Sequence, residues 1–212
     1  SRSVRIGITG PPGAGKSTIT NQLINQCLLN QKSVGVIAVD PTSPFTGGAL
    51  LGDRVRMNEH SWNDKVYIRS MGNHGKLGGL SKKAQEVGDV LAASGKDIII
   101  FETVGVGQAE HDIISAADLS IVVLVPESGD EVQLMKAGII EIGDIFVINK
   151  SDRKGANKLA SKLKNILHFF NKENMNEPEV YNTCATDGKG IVELYIGIEN
   201  CIKIMNENNT LK

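Results

Sequence analysis

Residues 10 to 18 read GPPGAGKST, and they carry the groups that phosphate chemistry needs at a usable spacing. In the pattern G-x-x-x-x-G-K-[ST], Gly13 and Gly15 let the backbone curl until successive N–H groups face one anion. Lys16 brings an ammonium long enough to reach β- and γ-phosphates, and Ser17 a hydroxyl suited to Mg2+. On its own the pattern could be a glycine-rich turn before a helix. The apolar run VRIGIT at 4–9 before it and helical spacing over 17–31 after it supply the strand–loop–helix setting that a phosphate loop requires. Gly10, Pro11, Pro12, Gly13, Ala14, Gly15, Lys16, Ser17 and Thr18 are therefore expected to wrap the phosphates of a nucleoside triphosphate, aided by the positive end of the helix that follows.

The base is addressed by NKSD at 149–152, directly after the apolar run IFVI. A carboxylate at Asp152 can accept from the N1–H and 2-amino group of guanine, a donor pair that adenine does not present. Asn149 is expected to hold either the base or the loop, and Lys150 to lay its aliphatic stem over the ring. The segment TCATDGKG at 183–190 places small residues, Cys184, Ala185 and Thr186, where backbone N–H groups could approach the guanine O6. Cys184 is then a packing residue and not a nucleophile. Alone, N-K-x-D is an ordinary turn after a strand; in register with a phosphate loop it points to GTP and GDP.

Carboxylates for a metal come next. Glu102 closes DIIIFE, where most small GTPases have Asp, and the apolar residues before it make an unpaired charge costly unless a cation is present. Asp40 ends the second apolar run, and Asp53 lies in DPTSPFTGGALLGDRVRM at 40–57. Ser17, Asp40, Asp53 and Glu102 are expected to converge on one Mg2+, some through water, because this ion retains part of its hydration shell. Gly105 in TVGVG is expected to sense the γ-phosphate through its N–H. Lys16, Asp53 and Glu102 form the expected catalytic set, with Gln108 a candidate for orienting water. Gly47, Gly48 and Gly52 give the 40–57 segment the freedom of a nucleotide-sensing switch.

The elements that must position these groups are legible as an alternation. Seven short β-branched runs, 4–9, 34–40, 66–70, 97–102, 119–125, 144–149 and 179–183, alternate with helical spacing at 17–31, 81–95, 132–142, 156–172 and 190–206. Runs such as IGIT and IIIF are apolar at successive positions, the mark of strands covered on both faces. The expected fold is a three-layer α/β/α P-loop NTPase with a mostly parallel sheet of about seven strands. With 212 residues, 41% of them hydrophobic, the chain suits a single domain, residues 205–212 forming a frayed tail. The balance of 23 basic and 24 acidic residues gives no polyanion-binding character, so neither nucleic acid nor membrane is an expected partner. Three dispersed cysteines, Cys27, Cys184 and Cys201, suggest neither a disulfide framework nor zinc. A cytoplasmic location is expected, or the mitochondrial matrix if a transit peptide has been removed.

Taken together, GITGPPGAGKST, AVDPTSPFTGGALLGDRVRM, ETVGVGQAE and NKSDRKGA resemble the MeaB/ArgK/MMAA-type SIMIBI G-protein metallochaperones of cobalamin-dependent acyl-CoA mutases, over about residues 4–195. The resemblance implies a slow, partner-stimulated GTPase that gates delivery of adenosylcobalamin to methylmalonyl-CoA mutase or a relative and protects that enzyme. In this family the cobalamin belongs to the partner. Residues 40–57 and 103–111 correspond to its first two switches, and PESGDEVQLMKAG at 126–138 to a third, in which Asp130, Gln133 and Lys136 couple nucleotide state to the mutase. The family implies a possible homodimer, although the chain is shorter than many stand-alone members. A nickel-delivery GTPase of the same class should show a Cys/His cluster, and His60, His74, His111 and His168 are scattered. A small-molecule P-loop kinase has no use for NKSD.

Overall fold

The computed structural model describes residues 2–40, 58–60, 62–72, 79–103, 112, 114, 116–126, 139–170 and 178–211. Seven strands are present: β1 Val4–Thr9, β2 Val34–Asp40, β3 Val66–Gly72, β4 Ile98–Thr103, β5 Leu119–Leu124, β6 Ile145–Ile148 and β7 Glu179–Asn182. They form one sheet in the order β3-β2-β4-β1-β5-β6-β7, and every pairing is parallel. The helices are α1 Lys16–Leu29, α2 Gly79–Ala93, the single turn α3 Ile139–Ile142, α4 Ala156–Phe170 and α5 Ile191–Glu207.

Strict alternation along each strand divides the core. Ile6 and Ile8 of β1, Val34 and Val36 of β2, and Ile121 and Val123 of β5 face α1 and α5. The intervening positions face the other way: Ile37, Val39, Ile99 and Phe101 meet α2, while Val122, Leu124, Phe146 and Ile148 meet α4. Because β4, β5 and β6 are buried at every position, no polar residue could be spared for a solvent face. The three-layer α/β/α architecture follows from that doubly covered sheet.

The sheet also has a chemical polarity. At the amino ends of the strands, carboxylates are spent on structure. Asp97 accepts from the Ser33 N–H and hydroxyl, both at 2.7 Å, which holds its carboxyl below the usual range. Asp118 takes the Arg5 N–H at 2.8 Å and Asp144 the Ser120 N–H at 2.7 Å. The carboxyl ends of the strands, where α/β sheets bind ligands, are left for chemistry.

One expected helix lies partly outside the described residues, and another runs on past its expected end. Of the helix expected over 132–142, only Ile139–Ile142 falls among the described residues. α5 runs to Glu207, into the segment expected to fray: Met205 packs against the core and its carbonyl accepts the Thr210 N–H at 2.9 Å.

Candidate functional site

Gly10 is the pivot on which the chain leaves β1. Its φ is 143°, and a Cβ there would run into the Val123 carbonyl of β5, so only glycine passes. Gly15, at φ 89°, faces the Asn149 amide, which a side chain would displace. Between them the loop turns back on itself, the Ala14 N–H reaching the Pro11 carbonyl at 3.2 Å. α1 starts at Lys16 with no side-chain cap and no acid in its first turn, so its positive end faces the loop unopposed from its own residues. Lys16 is 6% exposed and its Nζ donates to the Gly10 and Pro11 carbonyls at 2.8 and 3.0 Å, across the mouth of the loop.

Glu102 stands beside this loop because β4 pairs with β1 in the register Ile8↔Glu102. Its carboxylate is 6% exposed, and Oε1 accepts the Ser17 hydroxyl at 2.5 Å. Two hard oxygen donors thus meet at one point beside the loop, a donor set that suits Mg2+ and not a soft metal. Next to it, Thr103 donates to Thr9 Oγ1 at 3.2 Å and ties the end of β4 to β1. Asp40 ends β2 one position past the Val39↔Thr103 pair. Asp53, Gly105, Gln108, Asp130, Gln133 and Lys136, with the Asp40 side chain, lie outside the described residues. Just past the 40–57 segment, a 3-10 turn at Asn58–His60 packs His60 against α1, where it is 6% exposed and its Nε2 has no hydrogen-bond partner among the described residues. Burial lowers the His60 pKa, opposed by Glu59 and by a bond to the Asn21 backbone.

Asn149 joins the two ends of the site. It is 3% exposed; Nδ2 donates to the Ala14 carbonyl at 2.8 Å, while Oδ1 accepts the Thr183 hydroxyl at 3.0 Å and the Ala185 N–H at 3.1 Å. Of the two roles open to it, the geometry assigns it to the loops. The Ala185 N–H is likewise engaged, which the spacing of TCAT did not reveal. Lys150, in a left-handed conformation at φ 56°, donates from Nζ to the Gly13 carbonyl at 2.9 Å, so its stem bridges toward the phosphate loop. Asp152 is exposed at the far end, where Cys184 Sγ donates to its Oδ1 at 3.3 Å. Cys184 is 7% exposed and acts as a small donor to that carboxylate. Cys27 is deeper in the core, and burial pushes its thiol up to about 12, far from nucleophilic use.

One cleft of about 540 Å3 connects these groups, from Pro12, Gly13, Gly15, Lys16, Ser17, Thr18, Glu102 and Thr103 at one end to Asn149, Lys150, Asp152, Arg153, Cys184, Ala185 and Thr186 at the other. That volume is in the range of ligand pockets. Thr103 and Arg153 are the lining residues that the motifs did not single out; their places directly after Glu102 and Asp152 are the sequence signals for them. Among the described residues, no three His, Cys, Asp or Glu side chains gather as a metal cluster, and no helix is long and apolar enough to cross a membrane.

The model of one family, "Methylmalonyl Co-A mutase-associated GTPase MeaB", matches residues 1–212. A putative GTPase of Pyrococcus horikoshii is 50% identical over 210 residues, covering 97% of this chain and 66% of the relative. The mitochondrial methylmalonic aciduria type A homolog of Mus musculus is 38% identical over 195 residues, covering 90% of this chain and 47% of the relative. Among solved structures, one described as an LAO/AO transport system kinase superposes with a TM-score of 0.79 at 27% identity, covering 100% of this chain and 63% of the other. The chain thus spans between about half and just under two thirds of the length of these relatives.

Proposed function

The chain belongs to the MeaB family of methylmalonyl-CoA mutase-associated GTPases, and on that premise we propose that it is a guanine-nucleotide switch that hydrolyses GTP slowly. Its partner is a cobalamin-dependent acyl-CoA mutase, methylmalonyl-CoA mutase or a relative, for which it gates the delivery of adenosylcobalamin and gives protection. The observation that carries this reading is the single cleft with a phosphate loop at one end and Asp152 at the other. A metabolic kinase needs an acceptor pocket, and nothing in its chemistry calls for a carboxylate aimed at the base edge. The reading fits the cytoplasm, or a mitochondrial matrix.

In this reading Gly10 to Thr18 enclose the phosphates, and Lys16 exchanges its carbonyl partners for phosphate oxygens, countering the charge that builds on them. Ser17 and Glu102 are the residues that would hold Mg2+, which when bound neutralises phosphate charge. Asp40 and Asp53 complete that set directly or through water, and Gly105 senses the γ-phosphate. Asp152 reads guanine, with Cys184 holding its carboxylate in place. The Thr186 backbone is left to face O6, since the Ala185 N–H is held by Asn149. The rate stays low until a partner completes the site, with Gln108 the candidate for water and Asp130, Gln133 and Lys136 for coupling.

The experiment is competition binding of GDP, GTP and ATP, followed by GTP hydrolysis with and without an acyl-CoA mutase. Tight guanine-nucleotide binding with little ATP competition is expected, and Asp152→Asn should move the preference toward xanthine nucleotides, because an amide can donate to the xanthine 2-oxo group. Equal affinity for ATP would sink the guanine assignment. A rate unmoved by any such mutase would remove the partner and leave a generic GTPase.

A further inference from the structure

We propose that Gln22, which belongs to none of the nucleotide motifs, sets how fast a bound guanine nucleotide leaves, by fastening the base loop to the helix that carries the phosphate-site residues. The inference rests on the guanine reading above.

Gln22 lies on α1, on the same helix as Lys16 and Ser17, and its Nε2 donates to the Ala185 carbonyl at 3.0 Å. The same residue's N–H is held by Asn149 Oδ1 at 3.1 Å, and Asn149 Nδ2 holds the Ala14 carbonyl at 2.8 Å. Ala14 leads straight into Gly15 and back into α1. The bonds therefore form a closed circuit: helix, base loop, Asn149, phosphate loop, helix. Every member of that circuit except Gln22 is part of a motif that touches the cleft.

The position of the base loop decides two contacts at once. Cys184, one residue before Ala185, donates to the Asp152 carboxylate, and Ala185 and Thr186 line the cleft beside it. Opening that loop withdraws the support of Asp152 and widens the exit past the base. Gln22 opposes the opening from the side of the helix, where it touches neither phosphate nor base. It is a positioning residue, and its effect should fall on nucleotide release and leave the chemical step alone.

Donor chemistry separates this role from simple packing. Gln22→Ala removes the donor, and Gln22→Glu keeps the shape but turns a carboxylate oxygen toward the Ala185 carbonyl. Gln22→Lys keeps an N–H donor on a longer stem. Release of mant-GDP from the full chain, followed by stopped flow against excess GDP, should accelerate about fivefold in Gln22→Ala, the equivalent of one neutral hydrogen bond. Gln22→Glu should exceed that, and Gln22→Lys should stay within about twofold of the parent on the same scale. Single-turnover hydrolysis of prebound GTP should be unchanged in all three, and thermal melts without nucleotide confirm that each is folded. Unchanged release in Gln22→Ala and Gln22→Glu overturns the inference. So does equal acceleration in Gln22→Ala and Gln22→Lys, which would assign the effect to packing, or a fall in hydrolysis without faster release. A parent chain that does not retain mant-GDP fails the guanine reading itself; a parent that retains it with indifferent variants fails this inference only.

Discussion

Asn149→Ala is the substitution through which the structure makes its largest quantitative claim. The side chain is 3% exposed and holds three groups, the Ala14 carbonyl at 2.8 Å, the Thr183 hydroxyl at 3.0 Å and the Ala185 N–H at 3.1 Å. Those residues are themselves 0%, 0% and 2% exposed. A net contribution of about 1 kcal/mol per bond gives about 3 kcal/mol, and stranding buried partners would raise the cost toward about 6 kcal/mol if no water replaced the amide. Asn149 lines the cleft, so water can reach part of the vacated space, and about 3 kcal/mol is the expected loss. Urea unfolding followed by circular dichroism measures it: with a slope of about 2–3 kcal/mol/M, the midpoint should fall by about 1 M. Asn149→Asp keeps both acceptor contacts and sets an oxygen against the Ala14 carbonyl. Its midpoint should fall by about half as much, with the damage confined to the phosphate loop. A midpoint for Asn149→Ala within about 0.2 M of the parent would refute the reasoning, because it would mean that the three bonds are worth no more than their replacements by water.

Two further outcomes follow from named contacts. Gly10→Ala should yield little folded protein, because the new Cβ meets the Val123 carbonyl at a φ of 143°; Gly188→Ala, at φ 70° with open space around it, should cost only about 1–2 kcal/mol in the same unfolding assay. His60 is held neutral by burial, its pKa below the ordinary 6.5, so the unfolded chain takes up its proton first as the pH drops. The stability that His60 contributes is therefore complete above pH 6.5 and is lost as the pH falls from there toward the folded-state value. The gap in urea midpoint between the parent and His60→Gln should narrow or invert over that window, and a gap independent of pH would contradict the burial.

The fold was readable because its strands are covered twice. A run such as IIIF at 98–101 has no polar partner face to confuse its period, and β4 is buried throughout. The motif residues were readable because each has a chemical reason to be that type: glycine at Gly10 and Gly15, where a side chain has no room, and a carboxylate at Glu102 beside Ser17. What escaped the sequence depends on which partner a polar group selects when several lie in reach. For Asn149 both base and loop were open, and its bonds tie loops together. Lys150, expected to lay its stem over the ring, also reaches the Gly13 carbonyl from Nζ. Gln22 is one of many mid-helix glutamines in any protein, and only the arrival of Ala185 from the far end of the chain gives it a task.

The strand order has a consequence for how the protein comes into being. Of these seven strands β1 is synthesised before the others, yet it sits between β4 and β5, in register with Ile98 and Leu119. The bonds that fasten the phosphate loop span 135 residues from Asn149 to Ala14 and 163 from Gln22 to Ala185. At a ribosomal pace of about 5–20 residues per second, the earliest part of the site waits on the order of 10–30 s for its last. Until β4 and β5 have been made, VRIGIT has no neighbours to pair with and is a sticky, unclaimed strand. Nucleotide affinity therefore arises only after residues 183–186 have been made, and capture of GDP by a nascent chain would report that β7 and the turn beyond it have arrived.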